Sequence, residues 1–198
     1  MRITGGTASG RLLKVPKGLD LRPTPDLVKQ ALFNSLGARV VGARVLELFA
    51  GTGALSLDCL SRGAASALCI EKSSRHAAVI KENRRDSGLP EQDLEVRTQD
   101  VFVAINQLTG AAVKFDLILA DPPYGEKNTG SRSVSFAQRL LDDAHLPALL
   151  NENGLLALGH ARRDTLELPA TWMEIKQLRH GDSMMRFLMP NREPLRTP

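Results

Sequence analysis

The most constraining feature of the sequence is an apolar run that ends in an acidic residue and two prolines. Residues 115–120 (FDLILA) are followed directly by Asp121, Pro122, Pro123 and Tyr124. A short apolar run of this kind is typical of a buried parallel strand, and two consecutive prolines stop both helix and strand. Ligands of open α/β sheets bind outside the carboxyl ends of the strands. We therefore expect Asp121, Pro122 and Tyr124 to line a binding site.

These three residues suit chemistry on a planar amino group. The Asp121 carboxylate and a proline carbonyl can accept the two N–H bonds of an exocyclic amine, while the Tyr124 ring stacks on the attached base. The alternative is a strand-ending turn that binds nothing. We favour the binding site because the turn lies where a ligand crevice is expected.

A glycine-containing turn precedes this motif, between a predicted strand (residues 44–48) and a predicted helix (54–62). The turn consists of Phe49, Ala50, Gly51, Thr52 and Gly53. Glycines allow close backbone approach to a ligand and leave N–H groups free at the helix start. A dinucleotide-binding fingerprint would have a third glycine in place of Ser56. Its absence, and Glu47 inside the strand, argue against a dinucleotide oxidoreductase.

Acidic residues also end the next two predicted strands. Glu71 ends a strand over residues 67–71 and lies 18 residues after Gly53, close to where nucleotide sites place the acceptor for ribose hydroxyls. Asp100 follows a strand over residues 94–98. It can cap the next helix, bind a ligand at the same edge, or do both.

The order of elements predicts a doubly wound α/β sheet with an antiparallel edge. Helices are expected over residues 25–36, 54–62, 73–87, 101–108 and 136–150. The last strands are expected at 155–158, 172–178 and 184–189, and the final two form a hairpin. A small hairpin of residues 2–4 and 11–15 opens the chain, with its glycines in the turn. The predicted domains are a basic arm (1–25), a Rossmann-like domain (26–190) and a frayed tail (191–198).

Composition limits the class of protein. The chain has 198 residues, of which 42% are hydrophobic and 24% charged, as expected for a globular protein with a sizeable core. No apolar run approaches a membrane span, and the N-terminus does not look like a signal peptide. Cys59 and Cys69 lie in apolar surroundings without metal-ligand spacing. We therefore expect a cytoplasmic monomer with reduced core cysteines and no bound metal.

The net charge of +4 is concentrated at the N-terminus. Residues 1–30 contain six basic and two acidic side chains, so the rest of the chain is neutral. A basic segment on a neutral body predicts contact with a polyanion. The alternative is an ordinary solvated surface.

Two sets of residues resemble a known family. Residues 47–53, Glu71, Asp100 and residues 121–124 resemble the S-adenosylmethionine-dependent amino-methyltransferases. Residues 2–11 (RITGGTASGR) and 21–36 (LRPTPDLVKQALFNSL) resemble one branch, the RsmD-like 16S ribosomal RNA guanine-N2 methyltransferases. The likeness spans nearly the whole chain. It implies a Rossmann-like class I methyltransferase with a seven-stranded, mostly parallel sheet and an antiparallel C-terminal hairpin.

The resemblance also implies roles for individual residues. Glu47 and the backbone of residues 50–53 hold the amino-acid end of the methyl donor, Glu71 accepts its ribose hydroxyls, and Asp100 and Val101 read its adenine. Asp121 and Pro122 orient the target amine, and Tyr124 stacks on a flipped guanine. The donor-contacting set is completed by Phe49, Gly51, Thr52, Lys72 and Asp121. The RNA-contacting set is Arg2, Arg11, Lys14, Arg22, Thr24 and Tyr124.

Other functions remain open from the sequence. The target could instead be adenine N6 in DNA or RNA, or a protein glutamine amide. A non-catalytic ribosome assembly factor with a vestigial site is a further alternative. The chain departs from the expected pattern at residues 159–161 (GHA), where we expect an acidic residue. His160 is therefore predicted to be a surface histidine.

Overall fold

The structure, a computed structural model, describes residues 1–15, 25–124 and 131–192. In these ranges seven strands form one sheet, and five α-helices pack around it. The strands are β1 (Arg44–Leu48), β2 (Ser66–Glu71), β3 (Leu94–Thr98), β4 (Phe115–Ala120), β5 (Leu150–Ala161), β6 (Trp172–His180) and β7 (Ser183–Pro190). The helices are α1 (Asp26–Leu36), α2 (Ala54–Ser61), α3 (Ser74–Ser87), α4 (Val101–Gly110) and α5 (Phe136–Asp142).

The strand order is β3-β2-β1-β4-β5-β7-β6. Strands β1 to β5 are parallel, whereas β7 is antiparallel to both β5 and β6. The order reverses between β1 and β4, where Leu48 pairs with Ala120. Ligands of such sheets bind at this switch point, outside the carboxyl ends of the strands. The predicted sheet and its antiparallel C-terminal hairpin are confirmed.

Helices cover both faces of the sheet. Helices α1, α2 and α3 pack on one face through buried side chains such as Leu32, Leu57 and Ile80. Helices α4 and α5 pack on the other face through side chains such as Ile105 and Leu140. Both cysteines are buried, as predicted. The apolar side chains of alternate strand residues therefore enter two separate cores, which fix the helices around the switch point.

Residues 1–15 include the predicted small antiparallel hairpin. Arg2 pairs with Leu12, and the Ile3 N–H donates to the Arg11 carbonyl at 2.9 Å. Three apolar side chains of this segment are buried in the core that α1 and α2 share: Ile3, Ala8 and Leu13. The hairpin therefore packs as part of the main body.

Gly5 and Gly6 have a role that the sequence did not predict. A Cβ added at Gly6 would lie 1.7 Å from the Ser61 carbonyl oxygen, and one at Gly5 would lie 2.4 Å from the Arg62 guanidinium. The Ser61 hydroxyl also donates to the Gly5 carbonyl at 2.6 Å. These glycines therefore allow the chain to approach the C-terminal end of α2. That end lies away from the crevice, because α2 returns to the opposite edge of the sheet.

The prediction of one helix over residues 136–150 is wrong. Helix α5 ends at Asp142, a 3-10 turn follows at Leu146–Leu149, and β5 already begins at Leu150. The Asp143 carboxylate accepts hydrogen bonds from two backbone N–H groups just beyond it. This local turn competes with continuation of the helix.

The prediction that His160 lies at the surface is also wrong, because its exposed fraction is only 7%. Strand β5 extends to Ala161, three residues further than predicted, and His160 pairs there with Met184 of β7. Burial lowers the pKa of His160 below its ordinary value. Within the described part of the chain, its Nε2 has no hydrogen-bond partner.

The first two residues of the predicted tail belong to the folded body. The Asn191 N–H donates to the Thr171 carbonyl at 2.8 Å, and Arg192 donates to the Asn151 carbonyl at 2.8 Å. The remaining residues of the predicted tail, 193–198, lie outside the described residues. Across the described ranges, no helix has both the length and the apolar content needed to span a bilayer.

Candidate active site

The turn after β1 is held against the neighbouring strand. The Ala50 N–H donates to the Ile70 carbonyl at 3.0 Å. Phe49 has a φ of +57°, a conformation that is costly for a residue with a side chain and is often found at functional sites. Gly53 also has a positive φ, and a Cβ there would lie 2.7 Å from a methyl carbon of Ile80. The turn therefore requires glycine at this position.

Glu47 supports the turn through hydrogen bonds to the first turn of α2. Its side chain points to the α2 face and is only 4% exposed. Its carboxylate accepts the N–H groups of Ser56 at 2.8 Å and Leu55 at 3.3 Å, which lie in the first turn of α2 and lack intrahelical partners. Burial raises the pKa of Glu47 to about 7, although these hydrogen bonds act in the opposite direction. Direct contact of this carboxylate with a ligand stays a prediction.

Glu71 links the end of β2 to the same turn. One carboxylate oxygen accepts the Gly51 N–H at 2.8 Å, and the other accepts the Ser73 N–H at 2.8 Å. His76 Nδ1 lies 3.4 Å from the second oxygen. These contacts fix the Glu71 carboxylate at the carboxyl edge of the sheet, close to the backbone of the turn.

Asp100 is the N-cap of α4. Its Oδ1 accepts the Phe102 N–H at 3.0 Å, and its Oδ2 lies 3.7 Å from the Lys72 ammonium. Val101, the first residue of the helix, is buried. Asp100 thus has the predicted capping role, which uses mainly one of its two oxygens.

Asp121 lies at the end of β4, directly against the next strand. A Cβ added at Gly159 of β5 would lie 2.4 Å from Asp121 Oδ1, so the carboxylate occupies the space that a side chain there would fill. Pro122 is buried and Tyr124 is partly buried. The Tyr124 hydroxyl donates a hydrogen bond of 2.8 Å to the Ser183 hydroxyl oxygen of β7.

The structure brings most of the predicted site residues to one edge of the sheet. Glu71 pairs with Thr98 just before Asp100, and the end of β1 pairs with the end of β4. The residues brought together are Glu47, Phe49, Ala50, Gly51, Thr52, Gly53, Glu71, Lys72, Asp100, Val101, Asp121, Pro122 and Tyr124. Among the described residues, no group of three or more His, Cys, Asp or Glu side chains is placed to hold a metal ion.

Comparison with known proteins identifies the family. The family described as "Conserved hypothetical protein 95" matches residues 1–189. "Putative rRNA methyltransferase YlbH" of Bacillus subtilis is 32% identical over 171 residues, which is 86% of this chain and 87% of that protein. "Ribosomal RNA small subunit methyltransferase D" of Haemophilus influenzae is 29% identical over 181 residues, which is 91% of this chain and 89% of that protein. This chain belongs to the family of RsmD-like ribosomal RNA methyltransferases.

A solved structure supports the same assignment. The "Putative methyltransferase yhhF" from Escherichia coli superimposes with a TM-score of 0.77 at 28% identity, covering 98% of this chain and 99% of that one. The fold is therefore that of a class I methyltransferase.

The RsmD-like family uses S-adenosylmethionine, and the residues at the crevice fit this donor. Its ribose hydroxyls and adenine amine are hydrogen-bond donors, and Glu71 and Asp100 place acceptor carboxylates at the ends of adjacent strands. The turn at residues 49–53 places backbone beside the Glu71 carboxylate. The hydrogen-bond acceptors at this edge therefore match the hydrogen-bond donors of S-adenosylmethionine.

An aromatic cluster beside the crevice was not predicted from the sequence. The Phe49 and Phe136 ring centroids are 5.3 Å apart, and Phe102 lies 6.4 Å from each. The Arg139 guanidinium lies 4.2 Å from the Phe102 centroid, which is a cation–π distance. These residues come from the turn after β1, from α4 and from α5, so their spacing in the chain carried no signal of the cluster.

Asn83 of α3 is a second residue that sequence reasoning missed. Its side chain is 1% exposed and donates to the carbonyls of Thr52 at 3.0 Å and Lys14 at 3.1 Å. The Lys14 N–H donates back to its oxygen at 2.7 Å. Asn83 thus joins the glycine-containing turn to the N-terminal segment.

The structure only partly brings the predicted RNA-contacting residues together. Lys14 lies beside Asn83, and its exposed ammonium pairs with Glu82 and Asp86. Arg2 pairs with Asp26 at 3.3 Å, and Arg11 is exposed. Two of these three basic side chains therefore have local acidic partners, so the net positive charge at the surface of this segment is smaller than its sequence suggests. Of the other three predicted residues, Tyr124 lies at the crevice, and Arg22 and Thr24 lie outside the described residues.

Proposed function

We propose that this protein transfers a methyl group from S-adenosylmethionine to the N2 amine of a guanine in small-subunit (16S) ribosomal RNA. The observation that carries the proposal is the position of Asp121. Its carboxylate lies at the end of β4, next to β1 at the switch point, and the donor-binding turn follows β1. The relatives named as small-subunit RNA methyltransferases support this class of substrate.

The donor would be held by residues at the ends of β1, β2 and β3. Glu71 accepts the ribose hydroxyls, Asp100 and the Val101 backbone bind the adenine, and residues 50–53 bind the amino-acid end. Glu47 fixes that turn through its bonds to α2. When bound, S-adenosylmethionine supplies an electrophilic methyl group on a sulfonium centre.

Asp121 and Pro122 orient the target amine. The lone pair of an exocyclic amine is delocalised into its ring, so the amine is a weak nucleophile. The Asp121 carboxylate and the Pro122 carbonyl accept hydrogen bonds from its two N–H groups. These bonds direct the nitrogen towards the methyl group of the donor, which is a positioning effect. Asp121 also stabilises the positive charge that develops on nitrogen and can accept the released proton.

The target guanine has to leave its helix or already be unpaired, because its amine is otherwise not accessible to the site. The Tyr124 ring stacks on the extruded base, which contributes about 1–3 kcal/mol. The N-terminal segment contacts the RNA backbone through its basic side chains, including Arg11 and Lys14. We propose that the protein acts as a monomer on the small subunit or on one of its assembly intermediates.

The decisive experiment is methyl transfer from labelled S-adenosylmethionine to small ribosomal subunits from cells that lack this protein. Naked 16S RNA, DNA and a protein release factor are tested in parallel, and the modified nucleoside is identified by mass spectrometry. We expect N2-methylguanosine at one position. N6-methyladenosine, methylated protein or donor binding without any transfer would each reject the proposal.

The Asp121→Ala variant tests the role of the carboxylate. We expect it to lose methyl transfer while its affinity for S-adenosylmethionine, measured by calorimetry, stays close to that of the unchanged protein. An equal loss of donor affinity would show that Asp121 acts mainly in donor binding.

A further inference from the structure

The backbone alone does not fix the orientation of the Tyr124 ring. The two prolines before Tyr124 restrict the chain up to this residue, but the side chain can still rotate about two bonds. A ring that stacks on a base has to be held in one plane before the base arrives, since ordering it on binding costs free energy. Its partly buried hydroxyl donates to Ser183, 59 positions further along the chain.

Ser183 is well suited to hold the ring because its own backbone is fixed on both sides. It is the first residue of β7 and pairs with Ala161 of β5 and with His180 of β6. The preceding residue, Asp182, also accepts the Arg162 N–H through its carbonyl at 2.7 Å. The Ser183 hydroxyl is therefore attached to a rigid part of the sheet.

The hydrogen bond also determines where the ring lies. Strand β5 lies between β4 and β7 in the sheet. A side chain that starts just after β4 and reaches the start of β7 therefore crosses the carboxyl end of β5. The Asp121 carboxylate lies against Gly159 of the same strand. The two groups assigned to the target base thus lie over the end of one strand.

We propose that Ser183 is a positioning residue for methyl transfer, which holds the Tyr124 ring in the plane where it stacks on the target base. Ser183 itself touches neither the donor nor the base. The proposal rests on the proposed function, since it takes the stacked base to be the methyl acceptor.

Kinetics of three single variants and one double variant test this role. Ser183→Ala should raise KM for the RNA substrate or lower kcat, with a combined loss in kcat/KM of about 3- to 10-fold, the usual effect of one hydrogen bond. Tyr124→Phe removes the same bond, so adding Ser183→Ala to it should cause no further loss. Ser183→Thr keeps the hydroxyl on a residue that strands tolerate and should restore activity. Affinity for S-adenosylmethionine should not change in any of them.

Ser35→Ala is the matched control. Ser35 is also partly buried and accepts a side-chain hydrogen bond, from Lys176 at 3.0 Å, but it lies at the end of α1. We expect its kinetics to equal those of the unchanged protein. Additive losses in the Tyr124→Phe, Ser183→Ala double variant, or full activity of Ser183→Ala, would overturn the proposal.

A spectroscopic measurement separates this proposal from the proposed function. Tyr124 is the only tyrosine in the chain, so protein with 13C-labelled tyrosine rings gives one assigned set of ring resonances. Ser183→Ala should shift the resonance of the carbon that bears the hydroxyl, and Ser35→Ala should not. An unchanged resonance overturns the proposal even if the enzyme is active. A shifted resonance in a protein that methylates no RNA would show that the proposed function has failed while the tyrosine contact is real.

Discussion

Gly159 of β5 leaves open the space that the carboxylate of Asp121, the residue just after β4, occupies. An added Cβ would lie 2.4 Å from Asp121 Oδ1 and 3.1 Å from its Cγ, well inside contact distance. The two residues are neighbours because Ala120 pairs with Leu158. A glycine in residues 159–161, the stretch where we expected an acidic residue, therefore leaves the room in which the Asp121 carboxylate lies.

Gly159→Ala should displace Asp121 and greatly reduce methyl transfer. A displacement of about 1 Å can cost on the order of 100-fold in rate, while the donor site at the ends of β1 and β2 is left intact. Steady-state kinetics and calorimetry of S-adenosylmethionine binding measure the two effects. Gly110→Ala is the control, because a Cβ there meets no atom within 4 Å. Normal transfer by Gly159→Ala would show that the carboxylate does not need this position.

Asn83→Ala should weaken binding of S-adenosylmethionine by about 3- to 10-fold, because the Thr52 carbonyl loses a buried donor and the turn is less well held. Calorimetry of donor binding is the measurement. Lys14→Ala is the matched control: it removes the ammonium but keeps the backbone atoms that bond to Asn83. Donor affinity should be unchanged in this control, and a similar loss in both variants would contradict the role given to Asn83.

Glu47→Gln should remove part of the pH dependence of stability. Because burial raises the folded-state pKa of Glu47 from 4.5 to about 7, the folded protein holds a proton that the unfolded chain releases in this interval. The protonated Glu47 side chain therefore stabilises the folded state fully below pH 4.5. As the pH rises from 4.5 to 7, this stabilisation is lost, and the free energy of unfolding falls by roughly 3 kcal/mol.

Urea unfolding at pH 5 and pH 8 measures this effect. The difference between the two pH values should be smaller in Glu47→Gln than in the unchanged protein. Glu91→Gln is the control, since that side chain is 86% exposed, and it should keep the original difference. If Glu47→Gln also kept it, Glu47 would not be the group that titrates.

Asp58→Ala should destabilise the protein by about 3–5 kcal/mol. Asp58 and Lys29 are both fully buried and form an ion pair of 3.0 Å, and Asp58 also accepts the Thr4 N–H and hydroxyl at 2.8 and 2.9 Å. Removing the carboxylate leaves the buried Lys29 ammonium with the more distant Asp26 carboxylate at 3.6 Å, and the N-terminal segment loses the hydrogen bonds that Thr4 donates to Asp58. Urea unfolding measures the loss.

The control for this prediction is an exposed ion pair. The Glu95 side chain is 59% exposed and that of Arg97 is 40% exposed, so Glu95→Ala should cost no more than about 1 kcal/mol. Equal losses in the two variants would mean that the buried ion pair stabilises the protein no more than the surface ion pair does.

Sequence alone determined the features that depend on neighbouring residues. The apolar run before Asp121 and the prolines after it required a strand and a stiff turn. The alternation of strands and helices required a parallel sheet, and the acidic residues at strand ends then had to share one edge. The position of these residues at one edge of the sheet could be predicted for this reason, whereas their contact with the methyl donor stays a prediction.

Tertiary structure decided the features that depend on residues far apart in the chain. Three contacts join parts of the chain whose relative positions the sequence does not specify. They are Gly159 with Asp121, Ser183 with Tyr124, and Asn83 with both Thr52 and Lys14. Gly5 and Gly6 looked like turn glycines, but the close approach of Gly5 to Arg62 and of Gly6 to Ser61 explains them. His160 looked exposed until β7 was placed beside β5. The physical reason is the same in each case: burial and hydrogen bonding depend on which elements pack together, and local patterns do not contain that information.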